Sequence, residues 1–410
     1  MSLENSQFNV SAKSFDAEVN VPSSKSYANR AIILAALSKD AITIENLPLS
    51  HDVTNLLNVL REVGLRIVEV ENGIIIENSF PECERPSSEK IKIYPGDGGT
   101  TTRFLIPFLA MGKNSYQIEP EGRMRERPVA DLLEVLAELG ASINQCDTWL
   151  TIRGPLSFQT NKLKADASKT TQHATALALC LAFQNIEVQP VDMKYSKSYW
   201  DMTMSLIQDF KKGQKKFYVP VDFSSMSYVL ALGADRGKVL VKNCVDIDTF
   251  QSDSIFVEVL KNMGYSVTLS DKGLEVKSSE KEITPINLDC SNCPDLVPTL
   301  AFTCSRIDGE SKLSNLSVLK YKESDRLLEV QKLLDLYSIE NTYNEKEDVL
   351  HIKGSKKRID KAKEIYPPDD HRIVMVSYLF LRAHGGGVLN SIHSVSKSFG
   401  NFFEVVEENE

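Results

Sequence analysis

The sequence predicts an α/β protein built from six repeats of roughly 70 residues. Three observations support this fold class. A polar segment that leads into an apolar helix recurs six times, an amphipathic helix follows each one, and short strands come after several of the second helices. Each repeat is therefore predicted to run strand, helix, strand, helix, strand, strand. A period of this length is too long for a solenoid and is typical of compact α/β subdomains.

The first helix of each repeat begins with hydroxyl or charged residues. In the first repeat, Tyr27–Leu37 contains good helix formers, and Ser24 or Ser26 is the expected N-cap. Lys25 and Arg30 lie at the end of this helix where the dipole is already positive, so an anion is expected to bind there. The six segments are VPSSKSYANRAIILAALS (21–38), GGTTTRFLIPFLA (98–110), KTTQHATALALCLAF (169–183), FSSMSYVLALGA (223–234), CPDLVPTLAFTC (293–304) and DDHRIVMVSYLFL (369–381).

The second helices have apolar residues three, four and seven positions apart, the spacing of a buried stripe, as among Leu56, Leu57, Leu60 and Val63. Two of the following segments read as hairpins, with turns expected at Asn72-Gly73 and Lys272-Gly273. The six second helices are predicted within DVTNLLNVLREVG (52–64), RPVADLLEVLAELG (127–140), SYWDMTMSLIQDF (198–210), DSIFVEVLKNMG (253–264), ESDRLLEVQKLLDL (323–336) and FGNFFEVVEE (399–408).

Length and charge limit the class of protein. The 410 residues are enough for two or three domains, and the net charge of −9 argues against nucleic acid as a partner. The seven cysteines are irregularly spaced, which favours a reducing compartment. Cys290 and Cys293 form a CxxC without a second pair, so we expect two reduced thiols and no zinc. No signal peptide and no membrane-length apolar run is recognised, which predicts a cytoplasmic protein.

Cations and hydroxyls collect at the helix starts of several repeats at once. If these starts face one cleft, their dipoles and side chains would bind two small anions, most simply phosphates and carboxylates. Asp295 and Glu323 lie among the cations, and each could accept or donate a proton. For Asp325 we expect a plain ion pair, and the six histidines form no ligand set, so no metal site is predicted.

Eight segments resemble the family of 3-phosphoshikimate 1-carboxyvinyltransferases, also called 5-enolpyruvylshikimate-3-phosphate synthases. The combination of KESDR with SKSxxNR and RERP is specific, and the resemblance runs in order from about residue 21 to 404. The segments are PSSKSYANR, GDGGTTTRFL, RMRERPVADLLEVLAELGA, DFSSMSYVLALGA, PDLVPTLA, LKYKESDRL, DHRIVM and SKSFGNFF.

This resemblance implies the enolpyruvyl transferase fold, with two domains of three βαβαββ units each and an active site in the interdomain cleft. One lobe would comprise residues 21–219. Residues 1–20 and 220–410 would form the other lobe, so that the first twenty residues supply a strand to it. The chain is expected to work as a monomer.

The implied reaction transfers the enolpyruvyl group of phosphoenolpyruvate to the 5-hydroxyl of shikimate 3-phosphate and releases phosphate. It proceeds by addition and elimination through a tetrahedral ketal, without a cofactor. Asp295 matches the acceptor of the hydroxyl proton, and Glu323, with Lys25, matches the groups that move a proton at the methylene carbon. The residues implied for shikimate 3-phosphate are Lys25, Ser26, Arg30, Thr170, Thr171, Gln172, Ser196, Asp295 and Lys322. Those implied for phosphoenolpyruvate are Lys25, Gly99, Arg127, Gln172, Arg326, Arg372 and Lys397.

Three motifs depart from the family pattern. The usual PGSKS reads PSSKS, the usual asparagine of GNAGT is Asp97, and Thr170-Thr171 replace two serines. Threonine keeps the hydroxyl that binds phosphate but changes the fit to the acceptor ring, so a related cyclitol acceptor stays open. Asp97 would weaken phosphoenolpyruvate binding unless a cation such as Arg103 pairs with it. Gly99 keeps the glycine that the family associates with sensitivity to glyphosate, a phosphoenolpyruvate mimic.

Two other functions are considered. An enolpyruvyl transferase acting on UDP-N-acetylglucosamine would share the fold and the donor. That family carries a cysteine in the loop before the second helix, and the corresponding EPEGRMRERP has none. A non-catalytic protein that binds phosphate ends on a related scaffold would not need the two carboxylates, and the net charge of −9 argues against nucleic-acid ends.

Overall fold

The computed structural model describes residues 7–146, 149–279 and 281–407. Its helices are α1 Lys25–Leu37, α2 His51–Glu62, α3 Gly99–Ala110, α4 Ala130–Glu138, α5 Gln172–Cys180, α6 Lys197–Lys211, α7 Phe223–Asp235, α8 Ile255–Met263, α9 Val297–Ser305, α10 Arg326–Leu336, α11 His371–Ala383 and α12 Phe402–Glu407. All twelve correspond to the predicted pairs of helices. The last residue of the sixth predicted second helix, 408, lies outside the described residues.

The strands are short and alternate with these helices. They are β1 Phe8–Val10, β2 Phe15–Val19, β3 Ile42–Glu45, β4 Ile67–Val70, β5 Gly73–Ile76, β6 Ile91–Ile93, β7 Ser115–Ile118, β8 Ser142–Cys146, β9 Trp149–Arg153, β10 Lys162–Asp166, β11 Glu187–Val191, β12 Lys216–Tyr218, β13 Gly237–Val241, β14 Ser266–Ser270, β15 Gly273–Lys277, β16 Asn287–Asp289, β17 Gly309–Ser314, β18 Glu340–Asn344, β19 Val349–Gly354, β20 Lys363–Ile365 and β21 Gly387–Leu389.

The chain divides into two compact units. One unit, which we call the internal unit, is Ser23–Pro220, and the other, the split unit, is Met1–Pro22 together with Val221–Glu410. The predicted lobes differ from these bounds by one or two residues, because Val21 exchanges hydrogen bonds with Asn243 of the split unit. That the two units are the two functional lobes stays a prediction.

The internal unit contains three repeats. The first forms the sheet β12-β3-β5-β4 and the second the sheet β6-β7-β9-β8, each with one parallel pair and an antiparallel hairpin. The third repeat has only the parallel pair β10-β11. The prediction of a complete third repeat is therefore wrong. The strand after α6, β12, joins the first repeat instead, and the chain leaves the unit directly after it.

The split unit also contains three repeats, and its first strands come from the N-terminal segment. In the described residues the last of the three, the sixth repeat, has the parallel pair β20-β21 and no hairpin after α12, so the prediction of a complete sixth repeat is also wrong. Strand β2 pairs in parallel with β13 in the sheet β14-β15-β13-β2, and β1 pairs with β21 in the sheet β1-β21-β20. The remaining sheet has the order β16-β17-β19-β18. The expectation that the first twenty residues supply a strand to this part of the chain is confirmed, and they supply two.

The first helices of the repeats form the core of each unit. Helices α1, α3 and α5 contact one another in the internal unit, as do α7, α9 and α11 in the split unit. All thirteen residues of α11 are buried. A helix that is enclosed on all sides must be apolar on all faces, which explains why these segments lack an amphipathic stripe. Most polar residues beyond their first turns are buried, as is Arg382 in the last turn of α11, which donates to Tyr378, Val406 and Ser14.

The starts and turns of the repeats follow local chemistry. Ser24 is the N-cap of α1, and its hydroxyl accepts from the backbone N–H of Tyr27. The two predicted hairpins are present, although Gly73 and Gly273 are the first residues of their second strands. A Cβ atom on Gly273 would lie 2.2 Å from the carbonyl oxygen of Val241, and its φ of +125° also favours glycine.

The expectation of an ion pair at Asp325 is wrong. Its carboxylate caps helix α10 and accepts from the backbone N–H of Leu328 at 3.1 Å. A carboxylate at this position satisfies an N–H that has no partner within the helix.

Among the described residues, no helix is long and apolar enough to cross a membrane. No group of histidine, cysteine, aspartate or glutamate side chains in the same part of the chain could hold a metal ion.

Candidate active site

In the split unit, the predicted site residues meet around one carboxylate. We call Asp295, Lys322, Glu323, Arg326, Asp370 and Arg372 the Asp295 cluster. Asp295 lies in a short 3-10 helix, Pro294–Leu296, directly before α9. Lys322 and Glu323 stand in the turn before α10, whose first residue is Arg326. Arg372 is in the first turn of α11, so three helix starts position the cluster.

Asp295 is held by three cations. One of its oxygens, Oδ1, accepts from Lys322 Nζ at 3.0 Å and from Arg326 Nη1 at 2.8 Å. The other, Oδ2, accepts from Arg372 Nη2 at 3.1 Å. Burial alone would raise the pKa of Asp295, but Arg372, Lys322 and Arg326 together hold this pKa well below its ordinary value. Its side chain is still 22% exposed, so a ligand can reach the carboxylate.

Arg326 connects the three carboxylates of the cluster. Its side chain is 1% exposed and donates to three carboxylates. Nε donates to Asp370 at 2.8 Å, and Nη2 donates to Glu323 at 2.5 Å and to Asp370 at 3.2 Å. These three carboxylates, Asp295 included, raise the pKa of Arg326 against the effect of its burial. The guanidinium is therefore a fixed positive charge at the base of the site.

Two buried aspartates, Asp370 within this cluster and Asp253 beside it, were not predicted as site residues. Asp370 is wholly buried, accepts from Ser324 at 3.0 Å and caps α11 through the N–H of Arg372. Asp253 is 1% exposed, and Ser224 donates to it. Burial, and then the charge of Asp295, raises the pKa of Asp253 to about 6. The helix-capping position of Asp370 was a sequence signal for it, whereas Asp253 had none.

Lys397 lies beside the cluster rather than on Asp295. Its Nζ is 3.4 Å from the carbonyl oxygen of Asp369 and 3.5 Å from the carboxylate of the same residue. His393 also contacts this carboxylate, at 3.2 Å. Lys397 therefore contacts Asp369, the residue next to Asp370.

In the internal unit, the predicted residues form a second group at the starts of α1, α3 and α5. We call Lys25, Asp52, Gly99, Thr100, Arg103, Arg127 and Gln172 the Lys25 cluster. Lys25 Nζ forms an ion pair with Asp52 Oδ2 at 2.9 Å, and Asp52 is buried in the first turn of α2. Thr101 donates to the backbone carbonyl of Asp52 at 3.3 Å, which joins the starts of α2 and α3.

Gln172 connects helices α3 and α5. Its Nε2 donates to Thr100 at 3.0 Å, and its Oε1 accepts from Arg103 at 2.7 Å. Arg103 also donates to the carbonyl oxygen of Pro128. The described hydrogen bonds of Arg103 therefore orient the Gln172 amide. The hydroxyl of Thr170 accepts from the Gln172 backbone N–H at 3.2 Å, and Thr171 is the N-cap residue of α5.

The guanidinium of Arg127 occupies the space that a side chain at position 99 would fill, so Gly99 is required there. A Cβ atom on Gly99 would lie 2.2 Å from Arg127 Nη1 and 2.6 Å from its Cζ. The backbone of Gly99 is in an ordinary helical conformation, so the requirement for glycine is steric. Any larger residue at this position must displace the guanidinium of Arg127.

Arg30 lies deeper than the other predicted site residues. It is 3% exposed and donates to Thr203 at 2.8 Å and to the carbonyl oxygen of Ser26 at 2.7 Å. Its guanidinium also lies 5.5 Å from the ring centroids of both Phe104 and Tyr199. Burial lowers the pKa of Arg30 to about 10, so it stays charged at neutral pH. Ser196, at the start of α6, has a left-handed backbone conformation with φ 56°.

Both clusters combine helix N-termini with cations, which is an arrangement that binds anions. Only the Asp295 cluster adds carboxylates that a ligand can reach. This combination suits a reaction between anionic substrates in which a hydroxyl loses its proton.

The fold of the chain is that of the enolpyruvyl transferases. It is similar to the structure of an EPSP synthase from Acinetobacter baumannii, with a TM-score of 0.76, 21% identity and 98% of each chain covered. It is also similar to the enolpyruvyl transferase NikO from Streptomyces tendae, with a TM-score of 0.74, 13% identity and coverage of 99% of this chain and 97% of that one. At these identities the likeness shows the fold, and the predicted fold class is confirmed.

The sequence matches the family model for EPSP synthase (3-phosphoshikimate 1-carboxyvinyltransferase) over residues 11–213 and 211–406, so the chain belongs to this family. A 3-phosphoshikimate 1-carboxyvinyltransferase of Syntrophobacter fumaroxidans is 31% identical over 96% of both chains. A chloroplastic one of Petunia hybrida is 29% identical over 97% of this chain and 83% of its own. The predicted family and enzyme class are confirmed.

Proposed function

We propose that this chain transfers the enolpyruvyl group of phosphoenolpyruvate to the 5-hydroxyl of shikimate 3-phosphate. The products are 5-enolpyruvylshikimate 3-phosphate and phosphate, on the route to chorismate and the aromatic amino acids. Membership of the family supports the reaction. The observation that carries it is the reachable Asp295 carboxylate, held by Lys322, Arg326 and Arg372, because it supplies a base among cations that attract both anions.

Two overlapping sets of residues bind the two substrates. Lys25, Gly99, Arg127, Gln172, Arg326, Arg372 and Lys397 bind phosphoenolpyruvate. Lys25, Ser26, Arg30, Thr170, Thr171, Gln172, Ser196, Asp295 and Lys322 bind shikimate 3-phosphate. Four of the five N–H groups of Arg326 donate to carboxylates, so a second contact with phosphoenolpyruvate would require it to give up one of these hydrogen bonds. Arg372 donates to Asp295 at 3.1 Å, and its side chain is 8% exposed against 1% for Arg326, so it is the more accessible of the two.

Asp295 acts as the base once the substrates have taken over its cations. When phosphoenolpyruvate binds Arg372 and shikimate 3-phosphate binds Lys322, the pKa of Asp295 rises, because these two cations hold it low. The carboxylate then takes the proton of the 5-hydroxyl as the oxygen attacks C2 of phosphoenolpyruvate.

Proton transfer at the methylene carbon completes the two half-reactions. In the addition, C3 gains a proton and a tetrahedral ketal forms at C2. In the elimination, C3 loses a proton, the bond from C2 to the phosphate oxygen breaks, and phosphate leaves. Glu323, which Arg326 orients, and Lys25 move this proton. The reaction needs no cofactor.

The test is phosphate release from phosphoenolpyruvate by the purified chain, with shikimate 3-phosphate as acceptor. A parallel reaction offers UDP-N-acetylglucosamine. Release with shikimate 3-phosphate alone supports the proposal. Release only with the sugar nucleotide would show that the acceptor is UDP-N-acetylglucosamine and would contradict the proposal. Silence with both acceptors, in protein with a cooperative unfolding transition, would contradict the proposal and direct the search to another acceptor.

We predict that Gly99→Ala raises the KM for phosphoenolpyruvate about 10- to 100-fold. The added methyl displaces the Arg127 guanidinium, and a lost charge-assisted hydrogen bond costs about 1.5–3 kcal/mol. Initial rates at varied phosphoenolpyruvate give the change, and the KM for shikimate 3-phosphate is the internal control. The inhibition constant of glyphosate, to which we expect the wild type to be sensitive, should rise in parallel.

A double-mutant cycle identifies the cause of this change. If Gly99→Ala acts by moving Arg127, it has no further effect on the KM in the Arg127→Ala background. Equal effects in both backgrounds would contradict the steric explanation.

We also propose that the chain works as a monomer in the cytoplasm. The free cysteines among the described residues, five of them buried, are consistent with a reducing compartment. Light scattering during size-exclusion chromatography, with the chain mass of 45.8 kDa as the reference, tests the oligomeric state.

A further inference from the structure

The CxxC motif lies in the segment that carries Asp295, and the proposed reaction uses neither of its thiols. Strand β16 ends at Asp289, and Cys293 is the residue before the short helix that contains Asp295. Both cysteines are free, and Cys290 and Cys293 are 0% and 2% exposed. The proposed base therefore stands two residues from a pair of reduced thiols.

The local geometry suits a disulfide. The backbone N–H of Cys293 donates to the carbonyl oxygen of Cys290 at 3.1 Å, which closes a four-residue turn. The end Cα atoms of such a turn are within about 7 Å, and a disulfide needs Cα atoms about 4.4–6.8 Å apart. A hydrogen bond with the Cys293 side chain, followed by burial, raises the pKa of the Cys290 thiol well above its ordinary value.

The turn reaches the surface between the two cysteines. Ser291 is half-buried and Asn292 is exposed, so a single turn of backbone separates the thiols from solvent. A small oxidant can thus reach them through a local opening of this turn, without unfolding of the core.

We propose that Cys290 and Cys293 are a modification site, at which a hydroperoxide converts the two thiols to a disulfide and thereby lowers the activity of the enzyme. The effect on activity rests on the proposed role of Asp295 as the base. Disulfides in reducing compartments are usually transient and catalytic or redox-sensing.

The chemistry balances with the hydroperoxide as the only co-reactant. One cysteine sulfur attacks a peroxide oxygen, the O–O bond breaks, and a sulfenic acid and an alcohol, or water, are formed. The second sulfur attacks the sulfenic sulfur, the S–O bond breaks, water leaves and the S–S bond forms. The two cysteines lose two electrons and two protons, which the peroxide takes up.

The disulfide moves Asp295 through the backbone. It shortens the contact between the sulfurs to about 2.05 Å, and the carbonyl oxygen of Cys293 is bonded to the N–H of Leu296 at 3.0 Å. A shift of Cys293 is therefore passed to the residues on both sides of Asp295. Because a misplacement of about 1 Å at a reacting group costs about 100-fold in rate, we expect kcat to fall at least about tenfold.

The experiment treats the purified full-length chain with hydrogen peroxide, removes the peroxide with catalase, and measures phosphate release before and after dithiothreitol. Mass spectrometry follows the modification. Trypsin leaves residues 282–306 as one peptide with Cys290, Cys293 and Cys304, and cleavage after Phe302 separates Cys304 from the pair. We expect the fragment with the CxxC to lose two hydrogens, and activity to fall and then recover with the reductant.

Two variants and one control assign the effect. Cys290→Ser and Cys293→Ser should keep the activity of the reduced wild type and resist peroxide. Cys83→Ser removes the most accessible of the described thiols and should stay as sensitive as the wild type. A disulfide that leaves activity unchanged, a disulfide to Cys304, or equal inactivation of Cys290→Ser would overturn the proposal. An inactive reduced wild type would instead contradict the proposed function, since the disulfide is measured separately.

Discussion

Asp295→Asn is expected to lower kcat about 100- to 10,000-fold, which is the range that a positioned general base contributes. The amide keeps the size of the carboxylate but cannot take the proton of the 5-hydroxyl. It also removes the negative charge that holds Lys322, Arg326 and Arg372, so anion binding is retained or strengthened. Steady-state phosphate release should therefore show a loss in kcat with little rise in either KM.

The matched control for this prediction is Asp325→Asn. Asp325 is close in sequence to the same cluster and carries the same group, but its carboxylate caps α10, a role that asparagine fulfils equally well. Its kcat should stay within about twofold of the wild type. A comparable loss of kcat in both variants, or none in Asp295→Asn, would rule out Asp295 as the base.

Arg326→Met is expected to lower the free energy of unfolding by about 3–5 kcal/mol, the usual cost of removing one partner from a buried ion pair. The side chain is 1% exposed, and its loss leaves the carboxylates of Asp295, Glu323 and Asp370 without their common cation. Asp370 is affected most because it is wholly buried. Urea unfolding monitored by circular dichroism measures the change.

The control lies in the same helix. Lys332 forms an ion pair with Glu329 at 2.7 Å on the exposed face of α10. Lys332→Met introduces the same residue as Arg326→Met, so the two variants differ only in the ion pair that is lost. A surface pair contributes about 0–1 kcal/mol, so the control should unfold near the wild-type midpoint. If both variants lose the same stability, the cost arises from the helix and not from the buried network.

The repeats could be predicted from the sequence, and so could most of the side chains that the two clusters bring together, because both depend on local signals. Lys25 and Arg372 could be recognised from their positions in the first turns of apolar helices. The partners of these cations could not be predicted in the same way. Asp52 reaches Lys25 from another helix, and Asp253 lies at the start of α8, so only the packing of helices brings these carboxylates into the sites.

The wrong predictions at Asp325 and in the third repeat have a similar origin. The charge of Asp325 is compatible with an ion pair and with a helix cap. The side chain is a cap because its carboxylate lies within hydrogen-bond distance of the backbone N–H of Leu328. In the third repeat, the period gave no indication that β12 pairs with β3 of the first repeat. Strand β12 is the last strand before the chain enters the split unit, and it pairs with a strand of a different repeat.

The insertion of the internal unit into the split unit sets an order of events during synthesis on the ribosome. Val21 meets Asn243 only after 222 further residues, and Ser14 meets Arg382 after 368. At about 5–20 residues per second, β2 waits about 10–45 s for β13. The internal unit can complete its core in that interval. Strand β2 must stay unpaired until β13 is made, and β1 until β21 of the last repeat is made.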